Sequence, residues 1–173
     1  MPALEIGEVD NLIAAQKGIA LADSLDLFVI PGFERQIQRF HRGKVRDNYY
    51  LDGEHVLMVA SDRISIFDVV LPTAVPGKGM ILNQMSLMWL ELTNDIVDNH
   101  LLTADVDQYP EPFKGIDELR GRSMLVKKLN MAPAECIVRG YISGSLWAAY
   151  RHGDTEILGH SFPAGLVESD KLP

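Results

Sequence analysis

The chain has one cysteine, Cys136, and no Asn-x-Ser/Thr acceptor site. A lone thiol excludes an intrachain disulfide framework and any zinc site built on a cysteine pair. No apolar run approaches the roughly 18 residues that a membrane-spanning helix requires, and the amino terminus has no basic stretch followed by an apolar one. These absences point to a cytoplasmic protein with no membrane partner. Neither a Walker Gly-x-x-x-x-Gly-Lys-Ser/Thr string nor a Gly-x-Gly-x-x-Gly string occurs, which removes the usual phosphate-loop and dinucleotide signatures. His41, His55, His100, His152 and His160 are scattered without ligand spacing, so histidine offers no metal site.

What is present is an ordinary globular composition. The 173 residues, 47% of them hydrophobic, suffice for the core of one large domain or two small ones. Lys and Arg total 16 against 24 Asp and Glu, a net charge of −8. That is the wrong sign for coating nucleic acid, so no nucleic-acid partner is expected. The cations are clustered, however. Arg35, Arg39, Arg42, Lys44 and Arg46 face a single acid, Glu34, and Arg120, Arg122, Lys127 and Lys128 follow with none between them. An acidic protein with two local basic segments suits a small multivalent anion such as a nucleotide, although solvated charge runs give the same pattern.

Leu12, Ile13, Ala20, Leu21 and Leu25 fall at roughly helical spacing before the breaker pair Pro31-Gly32, predicting a peripheral helix over 10–30. Two strand-like runs, 45–51 and 54–60, flank Asp52-Gly53. That dipeptide predicts an antiparallel hairpin closed by a turn with positive φ. Met85, Met88, Trp89, Leu92 and Ile96 recur at three and four residues, predicting a helix over 83–98 with those side chains in the core and Asn83 as its cap. Residues 105–121, with two prolines and two glycines, read as a loop-rich connection. The apolar runs 124–126 and 136–142 read as two strands of one sheet, which would make Cys136 a packed thiol rather than a nucleophile. A short helical pattern through Leu146, Trp147, Ala149 and Tyr150 ends at Gly153.

Three segments concentrate chemistry. In His41-Arg42-Gly43-Lys44-Val45-Arg46-Asp47, a glycine lets backbone N–H groups approach phosphate oxygens, and Lys44 and Arg46, two apart, project from one strand face. The same residues equally describe a strand edge protected by charge. Ser61-Asp62-Arg63-Ile64-Ser65-Ile66-Phe67-Asp68 places carboxylates and hydroxyls at a strand end. There Asp62 and Asp68 could meet a polar substrate or its amine, or simply cap a turn. Pro76-Gly77-Lys78-Gly79 is by itself a turn carrying a cation. In the third segment, Lys128-Leu129-Asn130-Met131 is a short connector whose backbone could pair with an adenine edge. Arg139 within an apolar run needs an anionic partner, either a ligand phosphate or an acid such as Glu135. Ser145, at a helix start, joins it as a candidate phosphate ligand.

Taken together, these strings stand in the order and spacing of one family. Gly43-Lys44-Val45-Arg46-Asp47, Ser61-Asp62-Arg63-Ile64-Ser65 with Phe67-Asp68, Pro76-Gly77-Lys78-Gly79, and Pro133 to Arg139 followed by Ser143-Gly144-Ser145 resemble phosphoribosylaminoimidazole-succinocarboxamide synthase, the SAICAR synthetase family of purine biosynthesis. The resemblance runs from about residue 35 to residue 173. It implies an α+β fold with an antiparallel-sheet ATP-binding lobe and a second α+β lobe, with a nucleotide cleft like that of ATP-grasp enzymes and kinases. The implied activity is an ATP- and Mg²⁺-dependent ligation of 5-amino-1-(5-phosphoribosyl)imidazole-4-carboxylate to L-aspartate through an acyl phosphate, releasing ADP and phosphate. Gly43, Lys44 and Arg46 would line the ATP phosphates, and Lys128, Leu129 and Met131 would hold adenine. Arg139 and Ser145 would bind the ribotide phosphate, while Asp62, Ser65 and Asp68 are expected near the imidazole or aspartate end. No individual catalytic residue is assigned, and a homo-oligomer is open.

By the same resemblance, residues 1–128 form the nucleotide-binding lobe and 129–173 a hinge and the beginning of the second lobe. Family members continue beyond this length, and the continuation carries an Asp-x-Lys-x-Glu-Phe-Gly-type motif and the carboxylates expected to hold Mg²⁺. No metal ligand is therefore assigned within these 173 residues, and the chain alone is expected to be incomplete for catalysis. The alternative is a non-catalytic nucleotide-binding module, or a half-enzyme that takes the missing lobe from another chain.

Overall fold

The computed structural model describes residues 37–134 and 136–172; the helix expected over 10–30 lies outside them. The chain divides into two compact units, 1–130 and 131–173. In the first, β1 (Arg39–Arg42), β2 (Arg46–Tyr50), β3 (His55–Ala60), β6 (Leu101–Thr103) and β7 (Ser123–Lys127) form one antiparallel sheet ordered β1-β2-β3-β7-β6. Strand β3 sits at its centre, and its period-2 alternation sends side chains to two different cores. Leu57 and Val59 join Tyr49 and Leu125 on one face, covered by Val106, Tyr109, Phe113 and Leu119 from the irregular 105–121 connection. Val56 joins Met124 and Val126 on the other, covered by Leu87 of the helix α1 (Lys78–Leu92). Burying each such side chain contributes about 1.5–3 kcal/mol, so the connection is part of the core despite its prolines and glycines.

The β2–β3 hairpin forms as expected, with Tyr50 opposite Val56, but its turn works differently. Gly53 is not among the positive-φ residues. The turn is instead closed by the Asp52 carboxylate, which accepts the N–H groups of Glu54 at 2.7 Å and His55 at 2.6 Å, an Asx-type closure. Positive φ appears in the next hairpin, β4 (Ser65–Ile66) with β5 (Val69–Val70). Its two central residues, Phe67 and Asp68, have φ of 47° and 68°, the requirement of a type I′ turn.

Helix α1 differs from the sequence expectation in both extent and face. It begins just after Pro76-Gly77, with Gly77 in the left-handed conformation at the cap, and ends at Leu92 rather than near residue 98. Asn83, expected as its cap, lies inside it. The buried face is Gly79, Met80, Asn83, Gln84 and Leu87, while Met85, Met88, Trp89 and Leu92 are exposed, as is Ile96 beyond the helix end. Two amides replace apolar anchors here because the chain entering β7 presents carbonyls to the helix. Asn83 Nδ2 donates to Gly121 O at 3.1 Å and Ser123 O at 3.3 Å, and Gln84 Nε2 donates to Gly121 O at 2.7 Å. Hydrophobic periodicity is blind to a face that binds through hydrogen bonds.

The second unit contains the helix α2 (Gly144–Tyr150) and the two-stranded ribbon β8 (Glu156–Ile157) with β9 (His160–Ser161). Residues 136–142 do not form the expected strand. Only a single bridge, Tyr141 with Lys171, marks the segment, together with Ile142 N–H to Asp170 O at 2.9 Å and Leu172 N–H to Gly140 O at 3.0 Å. Without a continuous ladder, Ile137 and Val138 are exposed, and Cys136 is an exposed rather than packed thiol. Ile142 alone is fully buried. Tyr150 fastens the chain after α2, donating to Pro163 O at 2.7 Å and accepting from Leu166 N–H at 3.0 Å. Gly153, at φ 100°, ends the helical stretch.

Candidate functional site

In the first unit, hydrogen bonds join the motif segments. Gly43 N–H donates to Arg46 O at 2.8 Å, making a tight turn ahead of β2. A Cβ on Gly43 would lie 2.7 Å from that same carbonyl oxygen, so the turn demands glycine. Val45 O accepts from both the N–H of Ser61, at 3.0 Å, and its hydroxyl, at 2.9 Å. Arg63 reaches back to the turn, donating from Nε to Lys44 O and from Nη2 to Gly43 O, each at 3.1 Å. Its charge is balanced by Asp47, 2.6 Å away, with both side chains almost fully buried. Lys44 and Arg46 are exposed, and the Lys44 ammonium meets Asp68 at 2.6 Å. That hydrogen bond, with the attraction of the same ammonium, holds the Asp68 carboxyl below its ordinary range.

Asp62 and Ser65 lie differently. Asp62 is fully buried; its Oδ1 accepts Gly79 N–H at 2.8 Å, and its carboxylate pairs with Arg122 at 3.1 and 3.4 Å. Gly79 itself is pressed against the sheet, where a Cβ would come within 2.3 Å of Ala60 O. Asp62 thus ties Pro76-Gly77-Lys78-Gly79 to the end of β3 from inside the core. Ser65 is half-buried opposite Val70. Lys128 and Leu129 follow β7 on the surface of this unit, Lys128 N–H donating to Glu54 O at 2.6 Å. Met131 opens the second unit, exposed.

The second unit brings Arg139 and Ser145 together. Arg139 Nη2 donates to Ser145 Oγ at 3.2 Å, and Nη1 to Ser143 O at 3.3 Å. Both line an open cavity of about 760 Å³, with Leu146, Leu158, His160 and Phe162 among its other walls. Among the described residues no three His, Cys, Asp or Glu side chains gather as a metal site, and no helix is long and apolar enough to cross a membrane. The expectations from sequence did not include the buried Arg63–Asp47 and Arg122–Asp62 pairs as site elements, nor His160 and Phe162. Little in the sequence signals the pairs: both arginines stand in polar strings, Ser61-Asp62-Arg63 and Arg120-Gly121-Arg122-Ser123, and their partners are 16 and 60 positions away.

Comparison with known proteins places the fold first. A SAICAR synthase from Saccharomyces cerevisiae complexed with SAICAR superposes with a TM-score of 0.71 at 37% identity, over 83% of this chain and 50% of that one. A type-2 SAICAR synthetase in complex with ADP shares the fold at a TM-score of 0.57 and 23% identity. The architecture is the α+β fold of these ligases. A family model described as SAICAR synthetase matches residues 39–173, and the chain belongs to that family. The phosphoribosylaminoimidazole-succinocarboxamide synthases of Desulfotalea psychrophila and Thermodesulfovibrio yellowstonii are 55% and 54% identical to it, over 80% and 79% of the chain. The chain spans 47% of the length of each of these two relatives.

Proposed function

We propose that the chain is the nucleotide- and ribotide-binding portion of an ATP-dependent ligase that joins 5-amino-1-(5-phosphoribosyl)imidazole-4-carboxylate to L-aspartate. The ribotide carboxylate would attack the γ-phosphoryl group of ATP and release ADP. The aspartate amine would then displace phosphate from the acyl phosphate to form the amide. Work of this kind is largely positioning and charge neutralisation. In this reading Gly43, Lys44 and Arg46 receive the polyphosphate, and Lys128, Leu129 and Met131 offer backbone groups to adenine. Arg139 and Ser145 take the ribotide phosphate. Ser65 and Asp68 face the imidazole or aspartate end, and Asp62 acts from the core by holding Gly79. No residue of the chain is assigned to Mg²⁺.

The observation that carries this reading is the set of hydrogen bonds linking the Gly43–Asp47 turn, the Ser61–Asp68 segment and the Pro76–Gly79 turn, within a chain whose 39–173 matches the family. It is tested by titrating Mg·ADP into the 173-residue protein by calorimetry, with Lys44→Ala as the comparison. Binding that is lost in Lys44→Ala supports the reading, and wild-type protein that takes up no nucleotide sinks it. Amide formation is then assayed with and without a polypeptide supplying the carboxy-terminal half of a full-length relative. A half-enzyme gives turnover only with that polypeptide, whereas a purely binding module gives none in either case.

A further inference from the structure

We infer that Arg63 is a positioning residue for nucleotide binding, setting the direction of the Lys44 and Val45 peptide N–H groups without touching the ligand; the inference rests on the reading of Gly43 and Lys44 as the phosphate-binding turn. Arg63 is 3% exposed, so it has no surface to offer a ligand. Four of its five N–H donors are taken up within the fold. Nη1 and Nη2 grip the two oxygens of Asp47 at 3.3 and 2.6 Å, Nη2 also donates to Gly43 O, and Nε donates to Lys44 O.

Two consecutive carbonyls are thereby turned inward toward one buried cation. In a trans peptide the C=O of one residue and the N–H of the next point in opposite directions, and the only cis bond among the described residues is Glu111–Pro112. With Gly43 O and Lys44 O held on Arg63, the N–H groups of Lys44 and Val45 are aimed away from it. Successive N–H groups on one side of a glycine turn make a concavity for anions. The Lys44 side chain, exposed beside them, adds the point charge. A guanidinium is suited to this task because its planar fork serves a carboxylate and two carbonyls at once; an ammonium at the same place has no such fixed geometry. Asp47 is the counter-charge that allows the cation to be buried.

The test compares Arg63→Lys with Val106→Ala, a core substitution far from the turn in sequence, both at a temperature where each is more than nine-tenths folded. Two quantities are read: the Mg·ADP dissociation constant by calorimetry, and the movement of the Lys44 and Val45 amide proton resonances when ADP is added to ¹⁵N-labelled protein. The wild type is expected to move both amide protons downfield. Arg63→Lys is expected to weaken ADP about tenfold, the effect of one charge-assisted hydrogen bond misplaced, with the downfield movement reduced. Val106→Ala is expected to change neither. If Arg63→Lys binds ADP as the wild type does while Lys44→Ala does not, the turn reading stands and Arg63 is only a core ion pair. If Val106→Ala weakens ADP equally, the effect is general destabilisation and the inference is overturned. If wild type and Lys44→Ala behave alike toward ADP, the phosphate-turn reading fails and the inference falls with it.

Discussion

Arg63 and Arg122 of the first unit and Arg139 of the second are used in opposite ways. In the first unit Arg63 and Arg122 are buried, each facing an aspartate that is itself buried. In the second, Arg139 is only partly covered and donates to neutral groups, a serine hydroxyl and a backbone carbonyl, at the edge of a cavity. A buried guanidinium must be neutralised by the fold, so its work is to hold backbone and turns in place. A guanidinium with neutral partners at a cavity wall keeps its charge available to an incoming anion. The contrast separates residues that build the site from residues that meet the ligand, and it can be broken by substitution.

The sharpest break is expected at Arg122. Replacing it with Ala leaves the fully buried Asp62 without its guanidinium and opens a hole beside Ala60 O. Removing one partner of a buried pair costs about 3–5 kcal/mol, read as a lowered urea midpoint. A loss below about 1 kcal/mol would show that Asp62 does not depend on Arg122. Next in size is Gly79→Ala. Its Cβ would meet Ala60 O at 2.3 Å and Ser61 O at 2.9 Å, both backbone atoms that cannot swing away. Overpacking of this kind costs about 1–3 kcal/mol, and an Ala variant as stable as the wild type would mean that the helix α1 start is not pressed against β3.

Arg139→Ala should invert the pattern. Its lost contacts are two hydrogen bonds at a partly exposed site, so stability should change by less than about 0.5 kcal/mol. Affinity for the phosphoribosyl ligand should fall at least about tenfold. A variant that unfolds instead, with unaltered affinity in its folded fraction, would place Arg139 with the structural arginines and erase the distinction between the two units.

The sequence made the motif set and the central hairpin readable because both are local: a tight turn between alternating runs, and short strings at fixed spacing. What escaped it was non-local. The α1 face packs through Asn83 and Gln84 onto carbonyls some 40 positions away in the chain, so the apolar stripe Met85, Met88, Trp89 and Leu92 marked the exposed side. Asp62 looked like a substrate group because it stands in a polar string at a strand end. Its burial is set by Gly79 and Arg122, neither of which that string contains. Residues 136–142 had strand composition, yet a strand also needs a neighbour with a matching ladder, and the pairing there is limited to a few bonds with 169–172.

The smallest expected effect concerns charge at the far edge of the first unit. His100 is half-buried, and that burial, reinforced by the positive charge of Arg46, lowers its pKa below the ordinary 6.5. A histidine with a lowered folded-state pKa takes up its proton more readily when the chain is unfolded. Its contribution to stability is therefore fully present above pH 6.5 and is lost as the pH falls from there toward the folded-state value. Because the ring is partly open to solvent, screening limits the effect to roughly a few tenths of a kcal/mol. His100→Gln keeps the backbone carbonyl that accepts Lys127 N–H while removing the titration. Denaturation midpoints of wild type and His100→Gln should thus run together above neutrality and part as the pH falls below 6.5, the wild type dropping relative to the variant. Parallel curves between pH 5 and 8 would show that neither burial nor the Arg46 charge disfavours the protonated His100 ring. Arg46 would then carry its charge outward alone, like Arg139 at the cavity wall of the second unit.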